Sequence, residues 1–198
     1  MVPPAKLDAA YKRNVGALRA VQPADLRPSD ITARLGAPWI PATDIVDFVH
    51  ETMDAEIKIH HMPELGSWTV EARRLGWTAA GTSEWGTDRR HAGELLADAL
   101  NSRVPQIFDV FKDADGERRV LNVVDTEAVR DKLQKIKQAF QNWVWTDPDR
   151  SDRLARAYND RFNNIVPRAF DGSHLKLPGA SGAFVLYGHQ KRGIWRII

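Results

Sequence analysis

The chain has 198 residues, of which 43% are apolar, 27% charged and none cysteine. That length suits one domain, or a small domain with an appendage, and the balance of apolar and charged residues excludes wholesale disorder. The lack of cysteine excludes a disulfide scaffold, a thiolate metal site and a cysteine nucleophile, and 28 Lys and Arg against 26 Asp and Glu exclude a general polycation.

Residues 5–21 read as a helix with Leu7, Tyr11, Val15 and Leu18 on one face, stopped at Pro23. A short helix is expected over 30–35, with Gly36 as its stop. Leu35-Gly-Ala-Pro-Trp-Ile-Pro41 reads as a rigid turn, after which Thr43 or Asp44 caps a helix carrying Ile45, Val46, Phe48 and Val49. Residues 56–61 and 67–72 alternate around Pro63-Glu-Leu-Gly66 and predict a hairpin. Residues 76–89 read as loop and 92–100 as helix. Residues 106–111 and 118–124 flank Asp113-Ala-Asp-Gly116, a second hairpin signal. Asp125 or Thr126 is expected to cap the best helix, where Val129, Leu133, Ile136 and Phe140 form a 3.6-period stripe. Asp147-Pro148 opens a further helix with Leu154, Tyr158 and Phe162, and 165–185 is irregular. A last helix, 190–198, meets no stop signal.

The expected fold is α+β: mostly helical, with two small antiparallel β-hairpins and an irregular C-terminal segment. Whether the hairpins share one sheet stays open. The chain is divided into a helical lead (1–42), a small α+β domain (43–125), a helical pair (126–164) and a C-terminal segment (165–198). Seven tryptophans, at 39, 68, 77, 85, 143, 145 and 195, follow no helical or heptad spacing and are expected as core anchors. No apolar run approaches the ~20 residues of a membrane span, and the N-terminus lacks an apolar signal core. No membrane partner is expected, and the cytoplasm is the default compartment.

Most motifs fail on their chemistry. His50-Glu-Thr-Met-Asp54 lacks the second histidine of a zinc-binding HExxH helix, and His60 and His61 fall on opposite faces of a strand, so no metal site is expected. Asp113-Ala-Asp-Gly116 resembles the start of a calcium loop, but its twelfth position is Val124. There is no phosphate loop, dinucleotide fingerprint or nucleophile elbow, and no catalytic residue is assigned. Charge is informative locally. Residues 168–198 hold five bases and one acid, a net +4 on a chain totalling +2, so 1–167 carry −2. Lys176, Lys191, Arg192 and Arg196 are therefore candidates for phosphate contacts with nucleic acid, against the alternative of a solvated surface.

Two stretches carry a resemblance. One is Leu35-Gly-Ala-Pro-Trp-Ile-Pro41. The other runs from Trp143-Val-Trp-Thr-Asp-Pro-Asp-Arg150 through Leu154–Asn164 and Phe170-Asp-Gly-Ser-His-Leu-Lys-Leu-Pro-Gly179 to His189-Gln190 and Ile194-Trp-Arg-Ile197. Together they resemble plasmid- and phage-borne proteins that join an adenine-specific DNA methylase to a Swi/Snf-like superfamily II helicase. The likeness is to the region between the two enzymes and the start of the helicase. It implies a fragment of a DNA-translocating ATPase, itself an accessory or linker region without the phosphate loop. It implies that Gln190 reads adenine through its amide, which both donates and accepts, with Tyr187 or His189 stacking on the base. ATP and Mg²⁺ would belong to the full-length parent and neither to this chain alone. The partners would be DNA, the missing ATPase lobe and the methylase domain. The alternative is a free-standing DNA- or protein-binding module.

Overall fold

The computed structural model describes residues 4–113, 116–165, 171–175 and 185–197. In chain order these form α1 (Pro4–Val21), α2 (Ala42–Met53), β1 (Lys58–Met62), β2 (Ser67–Glu71), α3 (Ala92–Leu100), β3 (Phe108–Asp113), β4 (Gly116–Leu121), α4 (Val123–Trp143), α5 (Pro148–Phe162) and α6 (Gly188–Ile197). The fold is mostly helical α+β. Each hairpin forms its own two-stranded antiparallel sheet. The chain divides into two compact units, Asp25–Phe162 and a second made of Met1–Ala24 with Asn163–Ile198.

The core of the Asp25–Phe162 unit forms where helical stripes meet. Val129, Leu133, Ile136 and Phe140 of α4 are all buried, as their period requires. Phe48 of α2 meets Phe140 edge-on, with centroids 5.2 Å apart. α3 packs on both α4 and β2 through an almost wholly buried surface that includes Leu95, Leu96 and Ala99. In the first hairpin Ile59 pairs with Val70 and His61 with Trp68. Ile59 and Trp68 are buried, His61 stacks on Trp68, and His60 lies on the exposed face. The side chain of Asn101, just past α3, accepts from the Trp68 N–H and donates to the Trp68 carbonyl, both at 2.9 Å. That clamp fixes the hairpin to α3.

Several expectations are corrected. Residues 30–35 are not a helix: only a 3-10 turn forms, Pro28–Asp30. Ile31, Ala33 and Leu35 are buried while Thr32 and Arg34 are exposed, a period of two that an extended chain satisfies and a helix does not. Gly36 has φ +85°, and a Cβ there would lie 2.1 Å from the Leu100 carbonyl oxygen. Neither Thr43 nor Asp44 caps α2, which starts after Pro41. Asp44 is buried and receives two hydrogen bonds from Arg153 of α5. α4 starts two to three residues before the expected caps. Asn122 ends the hairpin ladder, its N–H reaching the Ile107 carbonyl at 2.8 Å. Its side chain accepts the Asp125 N–H and so caps the helix. Thr126 instead accepts the Ile107 N–H at 3.0 Å.

Residues 76–89, expected as loop, include the end of a 3-10 turn (Arg73–Trp77) and a π turn (Ala80–Glu84). Lys132 and Lys135 of α4 donate to the carbonyls of Ser83 and Glu84 at 2.6 and 3.2 Å, closing that turn. Trp68, Trp85 and Trp143 are buried anchors, and Trp39, Trp145 and Trp195 are half-buried, but Trp77 is 90% exposed. Leu75 takes the core position of the 3-10 turn, and with three residues per turn Trp77 falls on another side. No described helix is long and apolar enough to cross a membrane.

Candidate nucleic-acid interface

Of the residues singled out for ligand contact, all but Lys176 lie on α6 or just before it. Gly188 starts the helix, and the Tyr187 N–H donates to Gln190 Oε1 at 2.9 Å, which is half of a capping box. Gln190 is thus already employed at the helix start. A carbonyl oxygen has a second lone pair, and the Gln190 amide nitrogen makes no described hydrogen bond, so one acceptor and two donor positions remain for an adenine edge. The Tyr187 and His189 rings lie parallel within 8°, with centroids 5.8 Å apart. Tyr187 is 70% exposed. A planar base can stack on an outer ring face there.

Lys191, Arg192 and Arg196 share the same helix. Arg192 and Arg196 are exposed and four residues apart, on one face, while Lys191 is half-buried. The Arg192 guanidinium folds back toward the helix start, 3.6 Å from where a Cβ on Gly188 would sit. Lys176, the fourth candidate, lies outside the described residues, as do 176–184 generally.

The Asp171-Gly-Ser-His174 stretch is a support for α6. Asp171 accepts from the N–H and hydroxyl of Ser173 at 3.1 and 2.9 Å. Those bonds, with the neighbouring His174, hold its carboxyl below the usual carboxylate range. Gly172 has φ +64° and backs onto the Lys191 carbonyl, leaving 2.4 Å for a Cβ. The His174 ring meets Trp195 edge-on at 4.3 Å.

The residues at 143–164 that carried the resemblance also prove architectural. Arg150 lies 3.5 Å over the Trp143 ring and donates to the carbonyls of Trp143 and Val144, closing the end of α4. Asp147 caps α5 by accepting the Arg150 N–H at 2.7 Å. Asn159 clamps Leu26, accepting its N–H at 2.8 Å and donating to its carbonyl at 3.0 Å.

One concavity was not anticipated from the sequence. A cavity of about 690 Å³ opens between α2, β1 and the end of β2. Its floor is Val46, Ala55 and Ile57, and its rim holds Asp47, His50, Glu56, Lys58, Glu71 and Arg74. Among the described residues no group of histidines and carboxylates is placed to hold a metal ion. No sequence signal marks the cavity, because its residues come from three separate elements.

The fold defines a mostly helical α+β protein with two separate two-stranded antiparallel sheets. The chain belongs to the family described as Domain of unknown function (DUF8437), which matches residues 34–164, from the turn before α2 through α5. It is also 32% identical over 68 residues to the Defense against restriction protein B of Escherichia phage P1. That match takes in 34% of this chain and 3% of the phage protein's length. No solved structure matches the chain significantly.

Proposed function

We propose that the chain is an accessory region of a larger phage- or plasmid-borne protein that protects DNA against restriction. In this reading the parent couples an adenine-specific DNA methylase to a Swi/Snf-like superfamily II helicase, and ATP-dependent DNA translocation belongs to that parent. The observation that carries the reading is the grouping on α6. An amide, Gln190, is followed by Lys191 and Arg192 and flanked by two stacking rings, Tyr187 and His189. Gln190 would pair with adenine, Tyr187 or His189 would stack on it, and Lys176, Lys191, Arg192 and Arg196 would meet phosphates. The relative's name supplies the defensive role and its phage origin supplies the setting. ATP and Mg²⁺ would serve the parent's phosphoryl chemistry, which needs a lysine and a metal-binding hydroxyl that no phosphate loop in this sequence provides.

The second reading is a free-standing DNA- or protein-binding module. It is favoured by the family match, which coincides with the well-packed Asp25–Phe162 unit and stops before α6. The intact mass of the native gene product, isolated from its host, separates the two. A product far above 22.3 kDa that hydrolyses ATP in the presence of DNA supports the helicase parentage. A native product of 22.3 kDa that binds DNA or protein without ATP hydrolysis selects the module.

A further inference from the structure

The two hairpins differ in how they use their side chains. In the first, Ile59 and Trp68 enter the core. In the second, every residue of β4 is exposed, and Val110 and Phe111 of β3 are 51% and 48% exposed. Successive strand residues face opposite ways, so apolar side chains are open on both faces of the ribbon. A two-stranded ribbon with no covered face is marginal in water, and exposed apolar surface of this kind marks a contact.

The backbone shows which edge is free. β3 and β4 pair Phe108 with Leu121, Val110 with Arg119 and Lys112 with Glu117. The Asn122 N–H donates to the Ile107 carbonyl at the next rung. Antiparallel alternation then turns the backbone groups of Glu117, Arg119 and Leu121 outward. The other edge agrees: the Phe108 carbonyl, on the matching rung, accepts from Arg89 at 3.1 Å. Arg89 also pairs with Asp109 and lies 3.7 Å from Asp125, so the β3 edge is closed at that point. The outward groups of β4 make no hydrogen bond to another described residue. Glu117 is held by Lys112 at 3.0 Å; the Arg119 guanidinium lies 5.1 Å over the Phe108 ring, and neither Arg118 nor Arg119 makes an ion pair with a described residue.

We propose that the outer edge of β4 is the docking site for an extended segment of a partner protein, which adds as a third strand. Its carboxylates lie opposite Arg118 and Arg119, and its branched apolar residues lie opposite Val120 and Leu121. Main-chain bonds supply affinity and the alternating side chains supply specificity. Charge selects this occupant. A second copy pairing antiparallel through the outward residues would set Arg119 against Arg119 where Glu117 meets Leu121, or Arg118 against Arg118 where Glu117 meets Arg119, and opposed like charges destabilise a sheet. Nucleic acid fits poorly, because residues 108–121 hold four acids, Asp109, Asp113, Asp115 and Glu117, against three bases.

The test uses the full chain and two synthetic peptides. One has the core Val-Val-Glu-Glu-Lys, read antiparallel from Leu121 to Glu117; the other is its charge reversal, Val-Val-Lys-Lys-Glu. Amide exchange followed by NMR should slow at least about tenfold at Glu117, Arg119 and Leu121 with the first peptide, and not with the second. The paired change Arg118→Glu and Arg119→Glu should reverse the preference. Should that variant fail to fold, discrimination between the peptides by the natural chain decides alone. Protection by neither peptide, or equally by both, overturns the proposal. Protection that grows with protein concentration in the absence of peptide also overturns it, in favour of a second copy.

Discussion

Asn101 satisfies both backbone groups of Trp68, and Asn159 does the same for Leu26. Each holds a segment that neither a helix nor a ladder bond secures at that point. Replacing Asn101 by Ala leaves a part-buried N–H and carbonyl unpaired and should cost about 1–3 kcal/mol in urea unfolding; a loss under about 0.5 kcal/mol would contradict the clamp. The Asp109 carboxyl is held below the ordinary aspartate range by its hydrogen bond from Arg89, with a second from Asn122. Its folded value is lowered, so its contribution is complete above the unfolded value of about 3.9 and is lost as the pH falls through the folded one. Arg89→Ala should move the Asp109 midpoint upward in a carboxyl NMR titration. None of these contacts could be read in the sequence. Asn101 and Trp68 are 33 positions apart, Asn159 and Leu26 are 133 apart, and an asparagine carries no sign of which distant backbone it will serve.

Among elements, α4 was legible because its apolar residues repeat at the helical period and nothing else satisfies that spacing. Phe140 is fully buried against Phe48, and Phe140→Ala should cost about 3–5 kcal/mol. Retention of stability within about 1 kcal/mol would show that the stripe does not face this core. The hairpins were legible from alternation and turn residues, to within three residues at each end. The stretch 30–35 was misread because a proline-serine-aspartate start suggested a helix, while burial at Ile31, Ala33 and Leu35 follows the period of an extended chain. Gly36 looked like a helix stop; its actual constraint is the Leu100 carbonyl behind it. Gly36→Ala meets both that contact and a positive φ, and should cost at least about 2 kcal/mol, read from the same urea curves. The caps of α2 and α4 were misplaced because Asp44 and Thr126 make long-range bonds in place of local ones.

At the scale of the whole molecule, residues 43–125 and 126–164 contribute to one apolar core, joined through Phe48, Leu95 and Phe140. Local charge singled out Lys191, Arg192 and Arg196, and the resemblance singled out Gln190; the structure places all four on α6, where Gln190 accepts the Tyr187 N–H and Asp171–His174 supports the helix. The cavity beside α2 and the open edge of β4 were not legible, since both arise from residues brought together only by folding. α6 has no fully buried residue, whereas α4 has six. Amides of 188–197 should therefore exchange at least about a hundredfold faster than those of 126–143, and equal protection would show that α6 is a core element.

If α6 presents cations to nucleic-acid phosphates, as proposed, duplex DNA binding weakens as salt rises. Each phosphate contact contributes about 0.9 to the slope of log K against log salt. Fluorescence anisotropy across a salt series should show binding by the natural chain. The double variant Lys191→Ala, Arg192→Ala should bind more weakly, with a slope shallower by about 2. Identical affinity and slope in the two proteins, or no binding by the natural chain at low salt, would contradict the account.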